Sequence, residues 1–315
     1  LKAMPFEQQL SRMRAENAKG ANIVAQISMR GTGLLLSWQA TFNPFSNKPS
    51  WQAIKDEPWA VQYAKLKDPA FKAQLLAEEN LQLFGDLQLL ADMLASAFTM
   101  QYEMGDAFNY EPTPEESIAA KASALGVDPA EYAYDIMMRD EGSAFIYFPL
   151  LNYADGNLDF LEPVLHSDDC INSLSDGGAH CGTICDAAAP TFMLEHWVRD
   201  RAGARISLEN AIKRQCHDTA MLYGLSDRGL IAEGYMADLN VIDLDNIKLN
   251  KPWVANDLPA GGKRLLQTAE GYRATIKSGV LTFRDGQFVG ATPGGVIRGP
   301  RPAPTIASHR APASG

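Results

Sequence analysis

The chain has 315 residues, 46% hydrophobic and 21% charged, a balance that suits a folded protein with a large core or two domains. Its formal net charge of −10 argues against nucleic acid and anionic membrane surfaces as partners. Four cysteines, at positions 170, 181, 185 and 216, are too few for a disulfide framework and point to a reducing, cytoplasmic setting. The longest apolar stretch, around Ala144 to Ala154, is too short to span a bilayer.

In chain order, residues 1–48 read as helix, strand and loop. Phe6 to Asn17 is amphipathic and stops near Gly20. Asn22 to Met29 is apolar and β-branched, as a buried strand should be, and the loop Arg30-Gly-Thr-Gly33 follows it. The opening at Leu1, just ahead of a helix, reads as a chain entered midway, with any targeting segment upstream.

Residues 49–142 carry mostly helical signals and read as a helical insertion. Asp68-Pro69, Thr113-Pro-Glu-Glu116 and Asp128-Pro-Ala-Glu131 are helix starts with proline in the first turn, and the last two also have acids close behind. Leu81 to Phe98 is dense in Leu and Ala, with Gly85 as a break. Residues 143–224 begin with the strand-like Ala144-Phe-Ile-Tyr-Phe-Pro149, pass a short helix over 160–166, and reach a strand over Cys170 to Asp176. Helices over 189–201 and 207–222 follow.

From 225 to 298 the pattern changes to period-two alternation with glycine turns: Ala237 to Asp243, Tyr272 to Ser278, Val280 to Phe283, and Gln287 to Gly290 after Asp285-Gly286. This is a small all-β unit. Residues 299–315 form a Pro/Arg-rich tail with a disordered composition.

The chemistry concentrates at Ser175-Asp-Gly-Gly-Ala-His180. A carboxylate at the C-terminal tip of a parallel strand sits where an α/β barrel keeps its reactive groups. Asp176 there reads either as a metal ligand that also takes a proton from water, or as the start of a glycine turn. Gly177 and Gly178 let backbone and ligand approach closely. His180 is the nearby residue suited to hold substrate or orient a ligand, with a plain loop histidine as the alternative. Cys181 and Cys185 do not have the spacing of a zinc pair and read as small buried thiols. Arg30, at the end of the first strand, suits a substrate carboxylate, but a surface salt bridge is the reading favoured for it. His166, His196, His217 and His309 are scattered and receive no role. No phosphate-binding loop and no Gly-x-Ser-x-Gly elbow occurs.

Ser175-Asp-Gly-Gly-Ala-His180, Ser207-Leu-Glu-Asn-Ala211 and Leu225-Ser-Asp-Arg-Gly-Leu-Ile-Ala-Glu-Gly-Tyr-Met-Ala-Asp-Leu-Asn-Val-Ile-Asp243 together resemble the C-terminal part of the amidohydrolase superfamily. They resemble most its D-aminoacylase (N-acyl-D-amino-acid deacylase) branch, in particular bacterial members. Asp257-Leu-Pro-Ala-Gly261, Gly271-Tyr-Arg-Ala-Thr275, Gly290-Ala-Thr-Pro-Gly294, Ala25-Gln26 and Asn43-Pro-Phe45 fit the same pattern.

The resemblance implies the C-terminal part of a metal-dependent (β/α)8 barrel with part of a small β-sandwich. It implies one or two divalent metal ions, zinc in the first place, with Asp176 as ligand and general base and acid. The family's His-x-His pair does not occur in the chain, and its His-Pro-Arg segment is replaced by Ala-His-Cys-Gly-Thr183. The resemblance makes Asn22 to Met29 the seventh barrel strand, with six strands and the remaining ligands upstream of Leu1. The expected partners are a small-molecule amide, an N-terminal segment of the same or a separate chain, and a second copy in a homo-oligomer. The leading expectation is hydrolysis of a linear amide such as an N-acyl amino acid. Alternatives are a hydantoinase-like cyclic amide hydrolase and a non-catalytic scaffold.

Overall fold

The structure, a computed structural model, describes residues 6–305 apart from 83, 84, 86, 87, 107, 174 and 176–179. Its helices are α1 (Phe6–Asn17), α2 (Pro49–Gln52), α3 (Trp59–Leu66), α4 (Pro69–Ala77), α5 (Gln88–Ser96), α6 (Ile118–Leu125), α7 (Pro129–Gly142), α8 (Leu161–Leu165), α9 (Ala189–Phe192), α10 (Leu208–Ile212) and α11 (Thr219–Leu222). Wider π-turns extend α9 through Met193–Asp200 and bridge α10 to α11 through Lys213–Asp218. The strands are β1 (Ala25–Ser28), β2 (Thr32–Leu36), β3 (Tyr102–Met104), β4 (Phe145–Leu151), β5 (Cys170–Ser173), β6 (Leu239–Ile242), β7 (Lys248–Leu249), β8 (Trp253–Leu258), β9 (Gly262–Leu266), β10 (Ala269–Glu270), β11 (Tyr272–Lys277), β12 (Val280–Arg284) and β13 (Gln287–Phe288). The chain is thus a mixed α/β protein. Among the described residues no helix is long and apolar enough to cross a membrane.

Two strands far apart in sequence are neighbours. β1 and β5 run parallel, with Ala25 opposite Cys170 and Ser28 opposite Ser173. Ala25, Ile27 and Cys170 pack with Leu10 and Met13 of α1 and Val164 of α8, so helices cover one face of the pair. The alternation of a strand turns Gln26, Ser28, Ile171 and Ser173 to the other face.

β2, β4 and β3 form an antiparallel sheet with β4 in the middle. The apolar run of β4 has no polar face because both of its faces are buried. Phe145 and Tyr147 join a core with Met29, Leu35, Tyr110, Phe192 and Trp197. Ile146 and Phe148 join Leu36, Trp38, Phe45, Trp51, Leu66, Leu75 and Tyr134 on the other side. Gly33 is required by this packing: a Cβ there would lie 2.4 Å from the Tyr147 ring and 2.7 Å from the Phe148 carbonyl oxygen. In the second core Trp38 meets Phe45, Trp51 and Tyr134 with ring centroids 5.3, 5.0 and 5.0 Å away.

Several boundaries move from those expected. The first strand contracts to Ala25–Ser28, and instead of a loop through Gly33 the chain enters β2 at Thr32. The mostly helical stretch 49–142 also holds β3, whose three residues are too few to give a periodic signal. The helix expected from Leu81 begins at Gln88, within the described residues. The three helix starts expected from their caps are present. Asp68 and Asp128 accept backbone N–H bonds in the first turns of α4 and α7, and Thr113 with Glu116 forms a reciprocal box.

Beyond residue 238, β13, β12, β11 and β6 form a sheet in that order, all antiparallel. The Ser278-Gly279 and Asp285-Gly286 turns have positive φ at both central residues, the geometry that matches the twist of a tight hairpin. β8 pairs with β9, and β7 with β10.

Candidate active site

The parallel pairing of β1 and β5 sets the C-terminal tips of the two strands side by side. From the tip of β1 the chain passes through Met29 and Arg30. From the tip of β5 it passes through the Ser-Asp-Gly-Gly-Ala-His segment. Asp176, Gly177 and Gly178 lie outside the described residues. Arg30 and His180 are both described.

Arg30 is buried, not at the surface, so the exposed salt bridge expected for it is replaced by an internal one. Its side chain is 3% exposed and that of Asp186 is 2%. The Arg30 Nη2 donates to the Cys185 carbonyl at 2.7 Å and to Asp186 Oδ1 at 3.3 Å. The guanidinium stands 3.8 Å from the centroid of the Tyr110 ring, a cation–π contact. The backbone around it is equally fixed. Trp197 Nε1 donates to the Met29 carbonyl at 2.7 Å, and the Tyr147 hydroxyl donates to the Gly31 carbonyl at 2.9 Å.

His180 is exposed and holds a left-handed backbone, φ +49°. Its carbonyl accepts from Thr183 N at 2.8 Å, Thr183 Oγ1 at 2.9 Å and Ile184 N at 3.1 Å. The residues after it are tied to three separate elements: Leu265 N to Cys181 O at 2.6 Å, Thr41 N to Gly182 O at 3.1 Å, and Leu35 N to Thr183 O at 2.8 Å. Gly182 is needed for this approach, because a Cβ would fall 2.4 Å from Thr41 Oγ1. Cys185 is a buried free thiol whose pKa burial pushes up to about 11, which keeps it protonated and unreactive at neutral pH. Cys181 is free and half-buried.

A second polar cluster lies behind Tyr110. Glu111 accepts from Arg201 Nε at 2.9 Å and Nη2 at 2.7 Å, from Leu158 N at 2.8 Å, and pairs with His196 Nε2 at 2.5 Å. Arg201 also reaches Asp159 at 2.5 Å. Burial alone would raise the Glu111 pKa, but the bonds from His196, Arg201 and Leu158 outweigh it and hold the carboxyl at about 2. The cluster borders a cavity of about 520 Å³ walled by Phe108, Phe192 and Leu249.

Sequence reasoning did not find Tyr110, Asp186, Tyr147 or Trp197 around Arg30, nor the pairing of His196. None of them stands in a motif. Each gains its place only when segments up to 168 positions apart are packed together.

Among the described residues no three His, Cys, Asp or Glu side chains gather as a metal ion would require. His166 is held against Glu162 at 3.4 Å, His196 against Glu111 at 2.5 Å and His217 against Asp218 at 3.1 Å. The described donor set does not by itself fit a metal.

Solved structures similar to the chain include a D-aminoacylase at 21% identity over 61% of this chain and 36% of that one, TM-score 0.34. A D-aminoacylase studied for its binuclear metal centre matches at 18% identity over 74% of this chain and 44% of that one, TM-score 0.34. A D-aminoacylase variant with copper chloride matches at 19% identity over 64% and 38%, TM-score 0.34. The chain therefore spans less than half the length of the structures it matches. No curated protein matches it. The model of the amidohydrolase family matches residues 33–283, which is most of the chain, and the chain belongs to that family.

Proposed function

We propose that the chain is the C-terminal part of a metal-dependent amidohydrolase that cleaves a linear amide, in the first place an N-acyl amino acid, as in the D-aminoacylase branch. The observation that carries this reading is the parallel, in-register pairing of β1 with β5, which sets the tip before Arg30 beside the tip before Asp176. Adjacent parallel strands with reactive residues at their C-terminal ends are the arrangement of a (β/α)8 barrel. In this reading β1 and β5 are neighbouring barrel strands. The sheet from β6 to β13 is part of a small β-sandwich, and an N-terminal segment of the same or a separate chain supplies the remaining strands.

Asp176 is the central residue of the proposal. A carboxylate at that tip takes a proton from the attacking water and returns it to the leaving amine, so one group serves as base and then acid. In this reading His180, Gly177 and Gly178 are assigned to substrate contact. A divalent metal, zinc in the first place, belongs to the proposal, with Asp176 among its ligands and the others outside this chain.

The test is Asp176→Asn in the full-length protein, assayed on a panel of N-acyl amino acids and cyclic ureides. The expected result is a fall in kcat of about 1000-fold or more with the fold intact by circular dichroism. Retained turnover would remove Asp176 from the mechanism. Wild-type hydrolysis of cyclic ureides alone would move the substrate class. Wild-type protein with neither turnover nor bound transition metal would favour a scaffold.

A further inference from the structure

The chain leaves β5 at Ser173, in register with Ser28, and is gathered back against β1 twelve residues later at Cys185. Arg30 closes this circuit. It sits two residues beyond Ser28, and its guanidinium Nη2 binds the Cys185 carbonyl and the Asp186 carboxylate while the group stands over the Tyr110 ring. The Met29 and Gly31 carbonyls on either side of it are held by Trp197 and Tyr147. The grip therefore starts from a backbone with little freedom.

The two bonds from Nη2, together with the place of the guanidinium over the Tyr110 ring, set where Cys185 and Asp186 sit, a combination an ammonium does not reproduce. The arrangement is poorly explained as a device for stability alone. Arg30 Nη1 is buried with no hydrogen-bond partner, and buried ion pairs with an unsatisfied donor stabilise no better than apolar groups of equal size. What the pair supplies is geometry.

From this we infer that Arg30 is a positioning residue. It ties Cys185 and Asp186, at the end of the 180–186 stretch that follows Asp176 in the chain, to the tip of β1. The inference rests on the proposed amidohydrolase reading for its consequence in turnover, but the clamp itself is a property of this chain.

The experiment compares Arg30→Met, Arg30→Lys and the double variant Arg30→Met/Asp186→Asn in the full-length protein. The double variant leaves no buried charge unpaired, so it remains informative if Arg30→Met fails to fold. Misplacing a reactive group by about an ångström costs roughly 100-fold, so kcat is expected to fall by about that factor with KM changed less than about threefold. Millimolar guanidinium ion is expected to restore part of kcat in the variants lacking Arg30, and Arg30→Lys to recover little. A rise in KM with kcat unchanged would make Arg30 a substrate-binding residue and overturn the inference. Wild-type kinetics in the double variant would overturn it as well.

Amide exchange over residues 180–186 separates the clamp from the chemistry. Faster exchange there, with the rest of the chain unchanged, supports the clamp even where Asp176→Asn keeps its activity and the amidohydrolase reading falls. Unchanged exchange overturns the clamp even where that reading stands.

Discussion

The aromatic core behind β4 and the sheet built from β6, β11, β12 and β13 are both rich in apolar side chains, yet they use them differently. In the first, Trp38, Phe45, Tyr134 and Phe148 are each at most 2% exposed and surround one another. In the second, Val241 is 50% exposed, Phe283 41% and Phe288 55%, and the two phenylalanine rings lie 5.4 Å apart between centroids. A sheet buries its faces only against a second layer. β4 has a layer on each side, whereas the 239–288 sheet leaves apolar surface open among the described residues. Local hydrophobicity therefore says little about how much stability a segment supplies.

That contrast can be broken by substitution. Trp38→Ala removes the centre of the aromatic core and is expected to cost about 3–5 kcal/mol, read from the urea midpoint of the full-length protein. A loss no greater than that of a surface change would end the comparison. Glu111→Gln probes the polar cluster between Tyr110 and the π-turns and is expected to cost roughly 2–3 kcal/mol at neutral pH. The folded-state pKa of Glu111 is depressed, from 4.5 to about 2. Its stabilisation is therefore present above the unfolded value and is lost as pH falls from about 4.5 towards about 2. Wild type and variant should accordingly converge in stability near the lower end of that window, and a gap that stays constant with pH would contradict the assignment.

Smaller effects sharpen the picture. Gly33→Ala would push a methyl group into the Tyr147 ring and the Phe148 carbonyl and is expected to cost about 1–3 kcal/mol, seen as a lowered thermal midpoint. Phe283→Ser, on the open sheet, is expected to change stability by less than about 0.5 kcal/mol. A large loss there would mean that the face is covered in solution, and a change in sedimentation would identify a second copy as the cover.

Much of the local structure was legible in the sequence. α1 has the bounds expected for it, and Asp68, Thr113 and Asp128 begin helical turns, because a cap acts through neighbours two or three residues away. The glycine turns at 279 and 286 follow from a backbone requirement that one residue type meets. β3 escaped notice because three residues carry no period, and β2 because Arg30-Gly-Thr-Gly33 has the composition of a loop.

The sequence by itself determined the helix starts, the hairpin turns and the apolar run of β4. Only the tertiary structure decided that β1 lies beside β5, that β4 is covered on both faces, and that Arg30 is an internal clamp and not a surface ion. The reason is physical. Caps and turns are satisfied within a few residues, whereas the partners of Arg30 lie 155 and 156 positions away and those of Glu111 as far as 90. A charge whose counterpart is so distant in sequence carries no local mark of whether it will meet water or be buried.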